Sequence, residues 1–227
     1  MVQAARPRQF RDTRPRRSTR CGYNGRVTPL LAAGLLLAAA PPAGNGLVDA
    51  TDLVPDAVVD IRYARPDNVF GRALYPAARC LLLRPAAERL AGAAGRLRAR
   101  GYRLRLLDCY RPLSVHQEMW NLRPRGGYVA DPARGSNHSR GTAVDLTLVT
   151  LAGEEVEMPT AFDSFEPRAA ADAEEGVSAA ARRNRMALRQ AMEEAGFVVH
   201  PREWWHFAAR DSRLHPLLDV PLAASRP

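Results

Sequence analysis

The sequence predicts a single α+β domain in which helices flank a central antiparallel sheet. Three observations support this class. Of the 227 residues, 46% are hydrophobic, which is enough for one sizeable core. From Leu47 to about Pro221, neither a long linker nor an internal repeat divides the chain. Strand-like and helix-like patterns are interleaved along this stretch, as expected of a mixed fold.

The first predicted elements are two strands and the helix between them. The segments VVDIRY (58–63) and RLRLLDC (103–109) have the composition of strands. Residues 85–100 are predicted to form a helix, because Pro85 suits its first turn and Gly101 lies just beyond its end.

A second helix is predicted from Ser114 to about Leu122. Ser114 and Gln117 match an S-x-x-Q capping box, which would fix where the helix begins. Arg111 then lies in the turn just before the helix.

The segment AVDLTLV, residues 143–149, alternates in the manner of a strand with one wet face. Val144, Leu146 and Leu148 are expected to face the core. Asp145 is therefore expected to point into a cleft on the opposite face.

The last part of the domain is predicted to contain a loop, a helix and two strands. Residues 165–176 are rich in acidic residues and Ala without a clear period, and we predict a mobile loop there. A long helix is predicted from Ser178, with Gly196 as its stop. Strands at FVVH (197–200) and WWHFAA (204–209) follow it.

The net charge of +9 is concentrated at the N-terminus. Residues 1–26 carry eight Arg and one acid, Asp12, so residues 27–227 have a net charge of only +2. The body of the chain shows no basic stripe interleaved with aromatic residues, so we expect no nucleic-acid partner.

Residues 1–45 are predicted to be an Arg-rich leader with a signal-like apolar segment, and residues 46–227 the catalytic domain. The apolar run from Leu30 to Ala40 is too short for a membrane span of about 20 residues but suits a signal peptide. We therefore expect export to the periplasm or the exterior, with a cytoplasmic location as the alternative, and no integral membrane span in the mature protein.

Two of the three cysteines, Cys80 and Cys109, lie in the body of the chain, and Cys21 lies in the leader. An exported protein could oxidise the body pair to one disulfide. Two buried free thiols are the alternative, and the sequence leaves the choice open.

Residues 136–148 and 203–207 together resemble a split metal site. They supply two imidazoles and one carboxylate, from His138, His206 and Asp145. This donor set suits zinc with a fourth position left for water, which predicts a zinc site in a cleft of the sheet.

Glu203, three residues before a predicted ligand, is the candidate base that takes a proton from water. His138 and Asp145 are separated by an odd offset and would point to opposite faces of one regular strand, so a bend at Gly141 is required. A similar turn is needed near Glu203, for which Pro201 makes an irregular entry plausible.

In family order, five motifs resemble those of the VanX-type D-alanyl-D-alanine dipeptidases, zinc enzymes related to peptidoglycan D,D-carboxypeptidases. They are DIRYARPDNVFG (60–71), DCYRPLSVHQEMW (108–120), SNHSRGTAVDLTL (136–148), MPTAFD (158–163) and EWWHF (203–207). The resemblance covers residues 60–207. It implies hydrolysis of D-Ala-D-Ala or a similar small D,D-dipeptide; the sequence does not predict an oligomeric state.

The resemblance also implies a role for each matching residue. One zinc ion per chain would be held by three ligands, with a general acid/base and an arginine that stabilises the oxyanion. Three further residues would hold the free amino group of the substrate. The ligands are His138, Asp145 and His206, the acid/base is Glu203, the arginine is Arg111, and the amino group is held by Asp163, Ser136 and Tyr63.

Two alternatives are a D,D- or L,D-carboxypeptidase acting on peptidoglycan stems and a non-catalytic zinc-dependent cell-wall binding module. Asp163 argues against the first, since a carboxypeptidase must leave that side of the pocket open, and Glu203 argues against the second. The chain departs from the family at Cys109, usually Gly or Ala, and at Pro159, usually Gly.

The remaining histidines and tryptophans are given plainer interpretations. The three histidines other than the two predicted ligands are expected to be structural or exposed, and Trp120 is expected to pack in the core. One of Trp204 and Trp205 is expected to wall the site. The three histidines are His116, His200 and His215.

Overall fold

A five-stranded sheet forms the centre of the fold. The computed structural model describes residues 46–122 and 129–223; the predicted leader lies outside them. The strands, in sheet order, are β2 (Val58–Val59), β4 (Tyr102–Asp108), β5 (Ala143–Thr150), β7 (Glu203–Ala209) and β6 (Phe197–His200). All neighbours are antiparallel except β2 and β4, which are parallel, so the predicted α+β class is confirmed with one parallel pair at an edge.

Two helices, α1 (Arg84–Arg98) and α3 (Ala179–Glu194), contact each other and pack on the sheet. The small side chains of α1 let it lie close to β4, and its Leu90 and Leu97 are fully buried. The side chains of β5 predicted to face the core are buried, but the opposite face is not wet as expected, because Ala143 and Asp145 are buried as well. A separate antiparallel pair, β1 (Leu47–Asp49) and β3 (Leu81–Leu83), precedes α1.

The boundaries of α3 agree with its sequence signals. Ser178 is the N-cap, and its hydroxyl accepts a hydrogen bond from the Ala181 amide at 3.0 Å. Gly196 follows the helix with φ +93°, a conformation that favours glycine. No helix among residues 46–122 and 129–223 is long and apolar enough to cross a membrane.

The prediction of a strand over residues 58–63 was wrong beyond Val59. A 3-10 helix follows at Arg62–Ala64, and its Tyr63 carbonyl accepts hydrogen bonds from the amides of Leu74 and Tyr75. These contacts with a later loop, and burial of the Tyr63 ring, outweigh the local strand propensity.

The capping box predicted for α2 (Leu113–Leu122) is not formed. The amide and hydroxyl of Ser114 both donate to Oδ1 of Asp219, at 2.8 and 2.7 Å. The Gln117 amide donates to Asn121 instead of turning back to the helix start. A carboxylate 105 residues along the chain therefore replaces the local cap.

The predicted mobile loop at 165–176 is instead anchored to the body of the fold. It contains a 3-10 helix, Pro167–Ala169, and two buried alanines, Ala169 and Ala171. The buried guanidinium of Arg185 donates to two carbonyl oxygens of this segment, which fixes its path beside α3.

Cys80 and Cys109 form a disulfide, which resolves the alternative that the sequence left open. Cys80 directly precedes β3 and Cys109 directly follows β4, and both residues are buried. The bridge therefore joins the ends of two strands that belong to different sheets.

Candidate active site

Three predicted donor side chains converge at the centre of the sheet. Asp145 of β5 and His206 of β7 are direct partners in the ladder, and Nδ1 of His206 lies 2.8 Å from Oδ1 of Asp145. Nε2 of His138 lies 3.1 Å from the same His206 nitrogen and 3.4 Å from Oδ1 of Asp145. These three atoms can hold a metal ion.

His138 reaches the sheet because the chain folds back at Gly141. His138 opens a 3-10 helix, His138–Arg140, and Gly141 closes it with φ +66°. This left-handed backbone conformation favours glycine, and a Cβ at the position would lie 2.8 Å from a methyl of Leu47, which would have to shift. The bend predicted at Gly141 is thus confirmed.

The His138 ring has one defined tautomer. Its Nδ1 lies 2.7 Å from the backbone carbonyl oxygen of Cys109, which can only accept a hydrogen bond. Nδ1 therefore carries the proton, and the lone pair of Nε2 faces Asp145 and His206. A carbonyl partner of this kind commonly orients a metal-binding imidazole.

Glu203 lies at the edge of this cluster, as the first residue of β7. Its Oε2 is 4.0 Å from Nδ1 of His206, and its Oε1 is 3.8 Å from Nδ1 of His200. The ladder between β6 and β7 shifts register between Val199 and His200, which supplies the turn that the sequence required near Glu203.

Arg111 is held by a buried network on the other side of the donors. Its guanidinium donates to Oδ2 of Asp108 at 2.5 Å, and Tyr75 donates to the other oxygen of the same carboxylate at 2.7 Å. The guanidinium also lies over the Tyr63 ring, 5.3 Å from its centroid. The Nε–H of Arg111 is buried and has no acceptor among the described residues.

His116 completes this network. Its Nε2 lies 2.9 Å from the Ala130 carbonyl oxygen and therefore carries the proton, which leaves Nδ1 as an acceptor 3.4 Å from Arg111. Burial and the nearby Arg111 lower the pKa of His116 to about 4, so the ring is neutral near pH 7.

Asp163 is half-buried, and it accepts a hydrogen bond from the Tyr63 hydroxyl at 3.0 Å. Its φ of +58° is the only positive value of a non-glycine residue in the described ranges, a strained conformation of the kind found at functional sites. Burial, with further repulsion from Asp145, raises the pKa of Asp163 to about 8.

A single cavity of about 820 Å³ brings all eight predicted site residues together. Trp205 also lines it, whereas Trp204 does not, which agrees with the expectation that one of the pair walls the site. The eight residues are Tyr63, Arg111, Ser136, His138, Asp145, Asp163, Glu203 and His206.

Comparison with known proteins identifies the family. The peptidase family M15 model, described as D-ala-D-ala dipeptidase, matches residues 43–221. The chain belongs to this dipeptidase family. It is therefore a peptidase, and the resemblance inferred from the five motifs is confirmed.

Proteins named D-alanyl-D-alanine dipeptidase are similar to this chain over most of their length. The Escherichia coli (strain K12) protein is 40% identical over 76% of this chain and 89% of its own. The Enterococcus faecium protein is 36% identical over 67% of this chain and 85% of its own. The crystal structure of vancomycin resistance D,D-dipeptidase VanXYg, with a D-Ala-D-Ala phosphinate analogue, is 17% identical over 74% of this chain and 69% of that one. Its TM-score of 0.39 supports no inference.

Sequence reasoning missed three side chains of the dipeptidase site. Asp108 was not singled out, although it opens the DCYRP motif that carries Arg111. His116 was expected to be structural or exposed; it is fully buried and contacts Arg111. His200 lies beside Glu203 in the same cavity. The spacing of three residues between Asp108 and Arg111 is the sequence feature that could have identified Asp108.

Proposed function

We propose that this dipeptidase hydrolyses D-Ala-D-Ala, or a similar small D,D-dipeptide, with one zinc ion held by His138, Asp145 and His206. The observation that carries the proposal is the arrangement of three ligand atoms around one point. Tetrahedral zinc with bonds of about 2.1 Å separates its ligand atoms by about 3.4 Å. The separations of 2.8 to 3.4 Å in the structure are close to this value.

The chemistry of the donor set also fits zinc. Two imidazoles and one carboxylate suit a borderline metal ion, and three protein ligands leave a position open. When bound, the ion would supply Lewis acidity, which polarises a carbonyl and makes a water molecule easier to deprotonate. The remaining steps depend on side chains of this chain.

Glu203 takes a proton from the attacking water and then protonates the leaving amine. Its carboxylate is 4.0 Å from the His206 ligand nitrogen, close enough to reach a water molecule beside the three donors. His200, at 3.8 Å on its other side, limits where the carboxylate can turn.

Arg111 stabilises the oxyanion that develops on the scissile carbonyl. Asp108 and His116 fix its guanidinium before substrate arrives, so no reorganisation is needed as charge builds up. Its side chain lines the same cavity as the three donors, so the guanidinium can donate to a substrate oxygen bound there.

Asp163, with Tyr63 and Ser136, binds the free ammonium group of the dipeptide. The Asp163 carboxylate is half-buried and lines the cavity with no cation bonded to it among the described residues. Binding an ammonium there satisfies a carboxylate that is otherwise costly to ionise. A peptide extended at its N-terminus lacks this charge, which favours a dipeptide over a peptidoglycan stem.

The substitution Glu203→Gln tests the proposed acid/base. We expect kcat for D-Ala-D-Ala to fall by about 10² to 10⁴-fold, because the amide cannot transfer the proton. Zinc should still bind at one ion per chain, measured by elemental analysis after dialysis. His215→Gln, which changes a histidine outside the cavity, is the control and should leave kcat unchanged. Unchanged turnover in Glu203→Gln would contradict the role assigned to this residue.

A further inference from the structure

The Cys80–Cys109 disulfide is next to the metal site rather than remote from it. Cys109 directly follows Asp108, the last residue of β4, and precedes the Tyr110–Arg111 turn by one position. Its carbonyl oxygen holds the Nδ1 proton of His138 at 2.7 Å. The backbone of one half-cystine is therefore in direct contact with a proposed zinc ligand.

The same residue is linked to Arg111 through Asp108. The Cys109 amide donates to Oδ1 of Asp108 at 2.9 Å, and the other oxygen of that carboxylate accepts from Arg111 at 2.5 Å. A displacement of residue 109 would therefore have two effects. Its carbonyl oxygen, which accepts the His138 hydrogen bond, would move, and its amide would pull on the Asp108 carboxylate that holds Arg111.

Regular sheet pairing does not hold Cys109 in place. The ladder between β4 and β5 is irregular between Leu106 and Asp108 and has its last pair at Asp108 and Asp145. Beyond it, the Tyr110 amide donates to the Leu81 carbonyl at 2.9 Å, next to Cys80. The disulfide adds a covalent connection at the position where the ladder has ended, and both its halves are buried at 1% exposure or less.

We propose that the Cys80–Cys109 disulfide is a positioning element of the metal centre. It fixes the Cys109 carbonyl, which holds His138 in the tautomer and orientation that direct Nε2 to the ion. The inference rests on the proposed function, since it needs His138 to be a ligand. The alternative is a bridge that stabilises the fold and has no effect on the site.

The test compares zinc affinity in the full chain with and without the bridge. The double variant Cys80→Ala/Cys109→Ala removes both sulfurs, and competition with a chromogenic chelator gives the zinc Kd. Loss of a partner that orients a ligand typically weakens metal binding 10 to 100-fold. The variant keeps the carbonyl of residue 109 but loses the bridge that fixes it, so we expect the zinc Kd to rise by about tenfold. Should this variant not fold, Cys80→Val/Cys109→Ala fills part of the vacated space and is judged by the same measurement.

A stability-matched control separates positioning from folding. Leu90→Ala truncates a fully buried side chain of α1, which lies outside the cavity. It should lower Tm as the double cysteine variant does, yet leave the zinc Kd within twofold of the wild type. The visible spectrum of the cobalt-substituted protein, which reports ligand geometry, should change in the cysteine variant and not in Leu90→Ala.

The outcomes distinguish failure of the positioning role from failure of the proposed function. A cysteine variant with a lower Tm but a wild-type zinc Kd and cobalt spectrum would overturn the positioning role and leave only a structural one. A wild-type protein that fails to bind zinc stoichiometrically would overturn the proposed function, and this inference with it.

Discussion

Asp163→Asn tests whether the half-buried carboxylate that lines the cavity selects substrates with a free ammonium group. The variant has the same shape and can still accept the hydrogen bond from Tyr63, but it has no charge. A hydrogen bond between charged groups contributes about 1.5 to 3 kcal/mol, so kcat/KM for D-Ala-D-Ala should fall by about 10 to 150-fold. N-acetyl-D-Ala-D-Ala lacks the ammonium group, so we expect it to be a poor substrate of the wild type and its kcat/KM to change little in the variant.

The pH dependence of KM provides a second and sharper readout. Burial raises the pKa of Asp163 to about 8, so in the empty site the group is largely protonated at pH 7. Ammonium binding requires the carboxylate, and therefore displaces a proton. KM should fall as pH rises from 6 to about 8, by at most tenfold per unit, and rise again where the α-ammonium of the substrate, with a pKa of about 8, loses its proton. The Asn variant has no such proton to lose, so its KM should not fall between pH 6 and 8.

Stability measurements exclude unfolding as the cause of lost activity. A carboxyl whose folded pKa is raised favours folding below its unfolded pKa of 3.8, and that contribution is lost as pH rises towards 8. Replacing Asp163 with the neutral Asn should leave the protein at least as stable at pH 7, by chemical denaturation. An Asn variant that is stable, cleaves D-Ala-D-Ala within twofold of wild type and keeps the pH profile would refute the ammonium-binding role.

Three further predictions concern other parts of the molecule. Arg111→Lys should lower kcat by about 10² to 10³-fold with a smaller change in KM, because an ammonium group cannot reproduce the planar set of guanidinium donors. Steady-state kinetics that show a large change in KM and a small change in kcat would contradict an oxyanion role. Removing the Cys80–Cys109 bridge, whose halves are 29 residues apart, should lower the free energy of unfolding in urea by about 3 to 4 kcal/mol. Asp211 accepts two hydrogen bonds from Arg89, which hold its pKa at about 2. Because this pair is partly exposed, Asp211→Asn should cost only up to about 1 kcal/mol above pH 4, and the difference from wild type should vanish as pH falls through 2.

Prediction from the sequence was most accurate for the helices and strands whose ends are set by residues nearby in the chain. The strands expected at 103–109 and 143–149 lie within one residue of β4 and β5 at each end. Ser178 and Gly196 were assigned correctly to the two ends of α3, because a hydroxyl cap and a left-handed glycine act within one turn.

The errors arise where a distant residue replaces a local partner. The strand predicted at 58–63 stops at Val59, because the Tyr63 carbonyl accepts hydrogen bonds from the amides of Leu74 and Tyr75 instead of a neighbouring strand. Ser114 bonds to Asp219 rather than to its own helix. No local pattern contains these pairings, since each depends on how the chain folds in space.

In the candidate site, too, some features could be predicted from the sequence and others could not. The motifs predicted which side chains would meet, and the cavity contains all eight of them; their individual roles remain predictions. The groups that orient them were not predicted, because the Cys109 carbonyl and the Asp108 carboxylate act only through contacts set by the fold. Orientation is thus the part of the site that the structure adds.

The disulfide and the N-terminal composition lead to one proposal about location. We propose that the protein is exported. The Arg-rich leader with its short apolar segment has the pattern of a secretory signal, and disulfides persist in oxidising compartments and rarely in the cytosol. If the bridge also positions His138, a chain kept in a reducing compartment would bind zinc more weakly, so location and activity would be linked. Alkylation of free thiols in fractionated cells tests this directly. Recovery of the protein in the cytoplasm with Cys80 and Cys109 reduced and zinc fully bound would contradict both export and the link.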